Sequence, residues 1–202
     1  MADPRLSAGG SLAEAARPTF LFDFASPECW LAAEGINHEL PVVPAWVPVR
    51  LRAATESAPR FSSETELAHL ERRAAAQRLP LPQLPDPWPA DLDLALRAAT
   101  FAAASGRVVA FSLAALRQAF AAGRDLSEID NVLIAAAACE LHPRAVLKGV
   151  GSRSVEKRLR EASASAEASG VSCLPALLVE GRAFSGASTL EEASAVLDPD
   201  GR

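Results

Sequence analysis

Apolar positions along the 202-residue chain follow two patterns: short continuous runs bounded by proline or glycine, and longer stretches spaced three and four apart. Thr19-Phe20-Leu21-Phe22-Asp23-Phe24 lies between Pro18 and Ala25-Ser26-Pro27. So apolar a run predicts a strand at 20–24, buried in a parallel or mixed sheet. A helix is expected to start at once. Ser26 supplies an N-cap, Pro27 suits the first helical position, Glu28 suits the positive end of the helix dipole, and Leu31, Ala32, Gly35 and Ile36 form an inward face. The helix should stop before Pro41, because proline drives the residue ahead of it out of helical geometry. Residues 42–49, broken by Pro44 and Pro48, predict a strand near a sheet edge or with a bulge.

From residue 60 the texture changes to alanine, leucine, arginine and glutamate at helical spacing, interrupted by a proline-rich connector at 79–89. Helices are expected at 64–78, 91–105, 111–122 and 129–141, with Gly106 and Gly123 where helix ends need positive φ. A further helix at 155–169 is closed by Gly170; strands at 176–179 and 182–184 meet through Glu180-Gly181, and a helix at 189–197 follows. The order is a βαβ unit and a ββα unit sharing one sheet around a helical insertion, an α/β fold. Residues 1–18 read as a flexible arm, 19–59 and 151–202 as the sheet domain, and 60–150 as the insertion.

Composition narrows the partners. A net charge of −5 supplies no basic field to hold a nucleic-acid backbone. Three cysteines and three histidines, none at C-x-x-C or H-x3-H spacing, make neither a disulfide framework nor a zinc site. Residues 1–17 lack the apolar run of roughly 7 to 15 residues that marks a secretory signal, and the weakly polar stretch 132–141 is too short to span a bilayer. A soluble cytoplasmic protein without a membrane partner is the expectation. Cys139 reads as core, and His38, His69 and His142 as near-surface residues.

Candidate chemistry gathers at Ser26. A helix N-terminus collects unpaired N–H groups and partial positive charge, so a thiolate placed there is stabilised. The plainer alternative is a serine that only caps its helix.

The motifs carry a resemblance. Phe22-Asp23-Phe24-Ala25-Ser26-Pro27-Glu28-Cys29-Trp30-Leu31 resembles the F-D-x-x-S-P-x-S-[YW]-L opening of the 2-hydroxychromene-2-carboxylate isomerases and kappa-class glutathione transferases. Gly170-Val171-Ser172-Cys173-Leu174-Pro175 resembles their G-x-x-G-[VL]-P segment. Between them, His69-Leu70-Glu71-Arg72, Leu79-Pro80, residues 89–97, Ala119-Phe120 and Leu126 follow the family's helical domain in order and spacing. The resemblance covers 19–197 and implies a thioredoxin-like sheet with a helical insertion, of the DsbA type. It also implies that the Ser26 hydroxyl contacts the sulfur of bound glutathione, or of another low-molecular-weight thiol, while Cys29 takes the place of a resolving cysteine. Pro27, Leu174, Pro175, Ser188 and Thr189 complete the implied thiol site. Leu174–Pro175 would be a cis bond, with the Leu174 backbone turned outward to pair with a cysteinyl unit. An electrophilic or aromatic substrate would be the second ligand, and a homodimer is an open option.

Departures from the family pattern matter as much. The closing G-S-D-R reads here as Gly186-Ala187-Ser188-Thr189, so the acidic anchor for the glutamyl end of glutathione is missing. Thr55-Glu56-Ser57 stands for a T-G-N-like segment, Asp91-Leu92 for N-[ST], and His69 for the aspartate of D-L-x-R. Losing one charge-assisted contact costs about 1.5 to 3 kcal/mol, or roughly tenfold to a hundredfold in glutathione affinity. A polar cradle rebuilt from Ser188, Thr189 and Arg52 or Arg60 is the expected substitute. Three functional readings follow: a thiol-dependent isomerase or transferase, an oxidoreductase using Cys29 alone or with Cys173, and a silent binding module.

Overall fold

Four strands, β1 (Thr19–Phe22), β2 (Ala45–Pro48), β3 (Ala176–Val179) and β4 (Arg182–Ser185), form one sheet in the order β2-β1-β3-β4 in the computed structural model, which describes residues 17–51, 64–86, 88 and 91–198. β1 pairs parallel with β2 and antiparallel with β3. Its central position explains its composition, since Phe20, Leu21 and Phe22 are all buried. Phe20 and Phe22 point to the same face, stack at 5.6 Å, and both meet the edge of Trp46 from the neighbouring strand.

β2 is the edge strand and is shorter than the 42–49 run. The Ala45 N–H bonds the Pro18 carbonyl and the Val49 N–H bonds that of Phe22. Odd-numbered residues therefore face β1, and Pro48, which has no N–H to give, turns its nitrogen to the free edge. Val42 and Val43 lie outside the strand and are exposed, and Arg17 takes the carbonyls of Val43 and Pro44 from the side. At the other edge, β3 turns into β4 through Glu180 and Gly181, both at positive φ (50° and 79°), as a two-residue primed hairpin turn requires.

Eight helices complete the described chain: α1 (Pro27–Glu39), α2 (Glu64–Ala76), α3 (Asp93–Ala104), α4 (Val108–Phe120), α5 (Ile129–Ala138), α6 (Pro143–Val150), α7 (Arg153–Ala168) and α8 (Thr189–Leu197). α1 and α8 match the expected limits, and Gly106 and Gly123 do take positive φ. α6 is absent from the sequence reading; His142 caps it by accepting from the Arg144 N–H, and Pro143 opens it.

α2 to α6 form the helical lobe between β2 and α7. Ala95, Ala98, Ala99 and Ala102 bury one face of α3, and Gly149 of α6 sits so close to Phe101 that a Cβ there would lie 2.4 Å from the ring. Arg117 of α4 grips Glu34 of α1 through two hydrogen bonds of 2.6 Å, and the Trp30 Nε1–H donates to the same carboxylate. Beyond β2, Arg50 pairs with Asp93, while Arg97 reaches Asp93 and Glu156 at 2.6 Å each, tying the end of the strand to α3 and α7. The lobe is thus tied both to α1 and to the end of β2. The expected start of the insertion at 60, with Arg52, Thr55-Glu56-Ser57 and Arg60, lies outside the described residues, as does the arm before Arg17.

Candidate active site

The chain leaves β1 at Phe22 and enters α1 at Pro27, so Asp23 to Ser26 form a short crossing at the end of the central strand. Ser26 has extended geometry (φ −125°, ψ 125°), and its Oγ accepts from the Glu28 N–H at 3.2 Å. A hydroxyl that accepts one bond keeps its own proton to donate. Pro27 is buried and contributes no N–H to the helix end.

Ser26 is itself buried, and the first turn that follows it is dry. Cys29 is fully buried, and its thiol donates to Asp23 Oδ1 at 3.5 Å. Asp23 is itself buried and accepts from the Ala25 N–H at 3.0 Å. Burial pushes the Asp23 carboxyl up to about 6, against the lowering effect of these donors. Burial, and then the neighbouring Asp23 charge, push the Cys29 thiol well above its ordinary range. Cys29 therefore remains a protonated core thiol at neutral pH, out of reach of solvent. Cys173 is exposed on the loop before β3, Cys139 is buried, and all three are free thiols.

Leu174–Pro175 is cis. The Pro175 carbonyl accepts from the Gly186 N–H at 2.8 Å and from Thr189 Oγ1 at 3.1 Å. Thr189 is buried, so its hydroxyl positions the proline loop against α8 and is not displayed to a ligand. Ser188, one residue earlier, is exposed at the start of α8 and makes no side-chain cap bond, so its hydroxyl is uncommitted.

Ser188 and Thr189 line a cavity of about 380 Å³ with Glu39, His69, Arg73, Gln77 and Glu191 among its walls. Arg73 crosses between the parts of the site: it pairs with Glu28 in the first turn of α1 and donates to the Ala187 carbonyl at 3.2 Å. Pro27, Cys29, Leu174 and Ser26 do not line this cavity. The implied residues therefore divide into two groups, one at the start of α1 and one at the start of α8, joined through Glu28, Arg73 and Ala187.

The sequence assigns no site role to Asp23 or Arg73, and to Glu28 only one at the helix dipole. Asp23 carried a signal, a carboxylate inside an otherwise apolar run. Arg73 carried a weaker one, four residues after His69 and so on the same face of α2. His38, His69 and His142 are exposed and Cys139 is core, as expected. Among the described residues no group of three or more histidine, cysteine or acidic side chains is placed to hold a metal ion, and no helix is long and apolar enough to cross a membrane.

A thioredoxin-like sheet with a helical insertion and a cis-proline loop leading into β3 defines the class of protein. The DSBA-like thioredoxin domain profile matches residues 19–198, and the chain belongs to that family. Among solved structures, a 2-hydroxychromene-2-carboxylate isomerase superposes with a TM-score of 0.76 at 15% identity, covering 90% of this chain and 94% of that one. A probable DsbA oxidoreductase of Streptomyces coelicolor gives 0.67 at 20% identity, with 91% and 88% covered. Pseudomonas aeruginosa DsbA gives 0.57 at 14%, with 90% and 80% covered. At such identities the likeness establishes the shared fold. No curated protein sequence matches the chain.

Proposed function

We propose that the protein is a thiol-cofactor-dependent isomerase or transferase, and that disulfide exchange through the first turn of α1 is not its chemistry. One observation carries this reading: the cysteine in that turn is a buried, protonated thiol held by Asp23, while the residue at the helix start is a serine with a hydroxyl proton to donate. Ser26 would donate to the sulfur of a bound small thiol and favour its thiolate, with the Leu174 backbone alongside.

The thiolate would add to an electrophilic double bond of the substrate, forming a C–S bond as the π pair moves onto the conjugated carbonyl oxygen. Rotation about the resulting single bond, return of the electron pair and cleavage of C–S release the isomer and regenerate the thiolate, with no net oxidation. Protonation of the adduct and its release would instead complete a transfer.

The polar end of the thiol fits the cavity at α8. Arg73, the free Ser188 hydroxyl and the unpaired N–H groups of the first turn of α8 suit a carboxylate. Glu39 and Glu191, also lining the cavity, supply the acidic groups that segment 186–189 lacks. Glutathione is thus one fitting thiol, and other small thiols with acidic tails share the same chemistry.

Titration calorimetry with glutathione tests the reading on the parent and on Ser188→Asp. Saturable binding by the parent, tightened by the added carboxylate, supports it, as does density for the thiol beside Ser26 in soaked crystals. Absence of binding to both proteins would favour a silent binding module in which Ser26 is an ordinary cap.

A further inference from the structure

A second cavity, of about 300 Å³, opens at the free edge of the sheet between β2, α3 and α7. It shares no residue with the cavity at α8. Its walls are apolar and mostly small: Trp46 from β2, Ala103 and Ala104 from α3, Leu159 and Ala162 from α7. The hydroxyl of Thr100, also in the lining, is committed to the Leu96 carbonyl at 2.8 Å. Small alanines on two converging helices keep the space open beside an edge strand that no further strand covers.

One charge lies in this lining, Arg158. Ala162 stands four residues on from Arg158, and Glu161, three residues on, is paired with Lys157. Three neighbouring cations are engaged: Arg50 with Asp93, Arg97 with Asp93 and Glu156, and Lys157 with Glu161. Arg158 makes no hydrogen bond or ion pair with any described residue. An apolar slot with a single unpaired guanidinium at its lining is complementary to a flat apolar body ending in a carboxylate. The volume lies at the small end of ligand pockets, which suits one or two rings.

We propose that this groove is a binding site for a small aromatic or branched aliphatic monocarboxylate, with its apolar body against Trp46, Leu159 and the alanines and its carboxylate on Arg158. The site stands apart from the thiol chemistry at Ser26 and does not depend on it.

Calorimetry with 2-naphthoate, compared with the neutral 2-naphthylmethanol, tests the assignment. Saturable one-to-one binding of the acid is expected, with a preference over the alcohol of about tenfold that collapses in high salt. Arg158→Gln should weaken the acid by about tenfold or more and leave the alcohol unchanged. Ala103→Leu, which fills the slot from an exposed helix position, should weaken both. Lys157→Gln, at the adjacent cation, should change neither. The proposal is overturned if the parent shows no saturable binding or no preference for the acid. It fails equally if Lys157→Gln is as damaging as Arg158→Gln, or if Ala103→Leu binds as the parent does. The parent's acid-to-alcohol ratio needs no variant, so a poorly folding mutant would not shelter the proposal.

Discussion

Two pairs at the start of α1, Cys29 with Asp23 and Ser26 with Glu28, differ sharply in their chemistry. Cys29 and Asp23 form a dry pair in which burial raises both pKa values and keeps a proton on the thiol. Ser26, buried as well, keeps a hydroxyl proton, and the half-buried Glu28 is matched by Arg73, which lines a polar cavity. Cys29 and Ser26 are both buried, yet the thiol is held protonated by desolvation and by Asp23 while the serine hydroxyl keeps a proton to donate. Helix position alone would lower a thiol's pKa; desolvation is the larger effect when the thiol points at the sheet. A cysteine near a helix start is thus no measure of reactivity until its facing is known.

The largest expected effect is in labelling. Iodoacetamide at about pH 7 should modify exposed Cys173 at least about a hundredfold faster than Cys29, whose reaction requires local opening. Mass spectrometry of timed samples measures both rates, and comparable rates would show that the dry pair is open.

Asp23 gives the next effect. Its carboxyl is raised from 3.8 to about 6, so the folded protein holds this proton more tightly than the unfolded chain does. Its contribution to stability is full at pH below about 4 and is lost as pH rises through about 6, a change of about 3 kcal/mol. Asp23→Asn still accepts from the thiol but cannot ionise. Urea unfolding from pH 4 to 7 should therefore show the parent losing about 2 kcal/mol relative to this variant. A difference that does not change with pH would contradict the buried assignment.

Smaller effects belong to Ser26 and Glu28. Ser26→Ala should cost about 1 kcal/mol in thermal or urea unfolding, the usual worth of a cap hydroxyl, and leave Cys29 labelling unchanged. Glu28→Gln should cost less than about 1 kcal/mol, because its pair with Arg73 is partly exposed to solvent.

Much of this arrangement was legible before any coordinates, and the parts that were not share a cause. Ser26-Pro27 and the limits of α8 follow from local rules of capping, and they stand as expected. The 176–179 strand also stands, since its apolar run is closed by a two-residue turn at Glu180-Gly181. Strand 42–49 was read too long because Val42 and Val43 favour extended chain; whether they join a ladder depends on a partner that the sequence does not display. α6 was overlooked because histidine is not among the usual cap residues, although His142-Pro143 repeats the arrangement of Ser26-Pro27. The roles of Asp23 and Arg73 were hidden for a stronger reason. Burial of Asp23 is imposed by elements packed over the end of β1, and Arg73 meets Glu28 and Ala187 across 45 and 114 residues. Local pattern places a helix start, while tertiary contact decides which of its side chains meets water.

The central claim, that α1 activates an external thiol through Ser26 and leaves its own cysteine unused, is tested most directly by the pKa of a bound thiol. Absorbance of the thiolate during pH titration of glutathione in complex with the protein reports it. The parent should lower the thiol's pKa, Ser26→Ala should return it toward the free value, and Cys29→Ala should leave it where the parent sets it. A bound thiol whose pKa ignores Ser26 and responds to Cys29 would contradict the account.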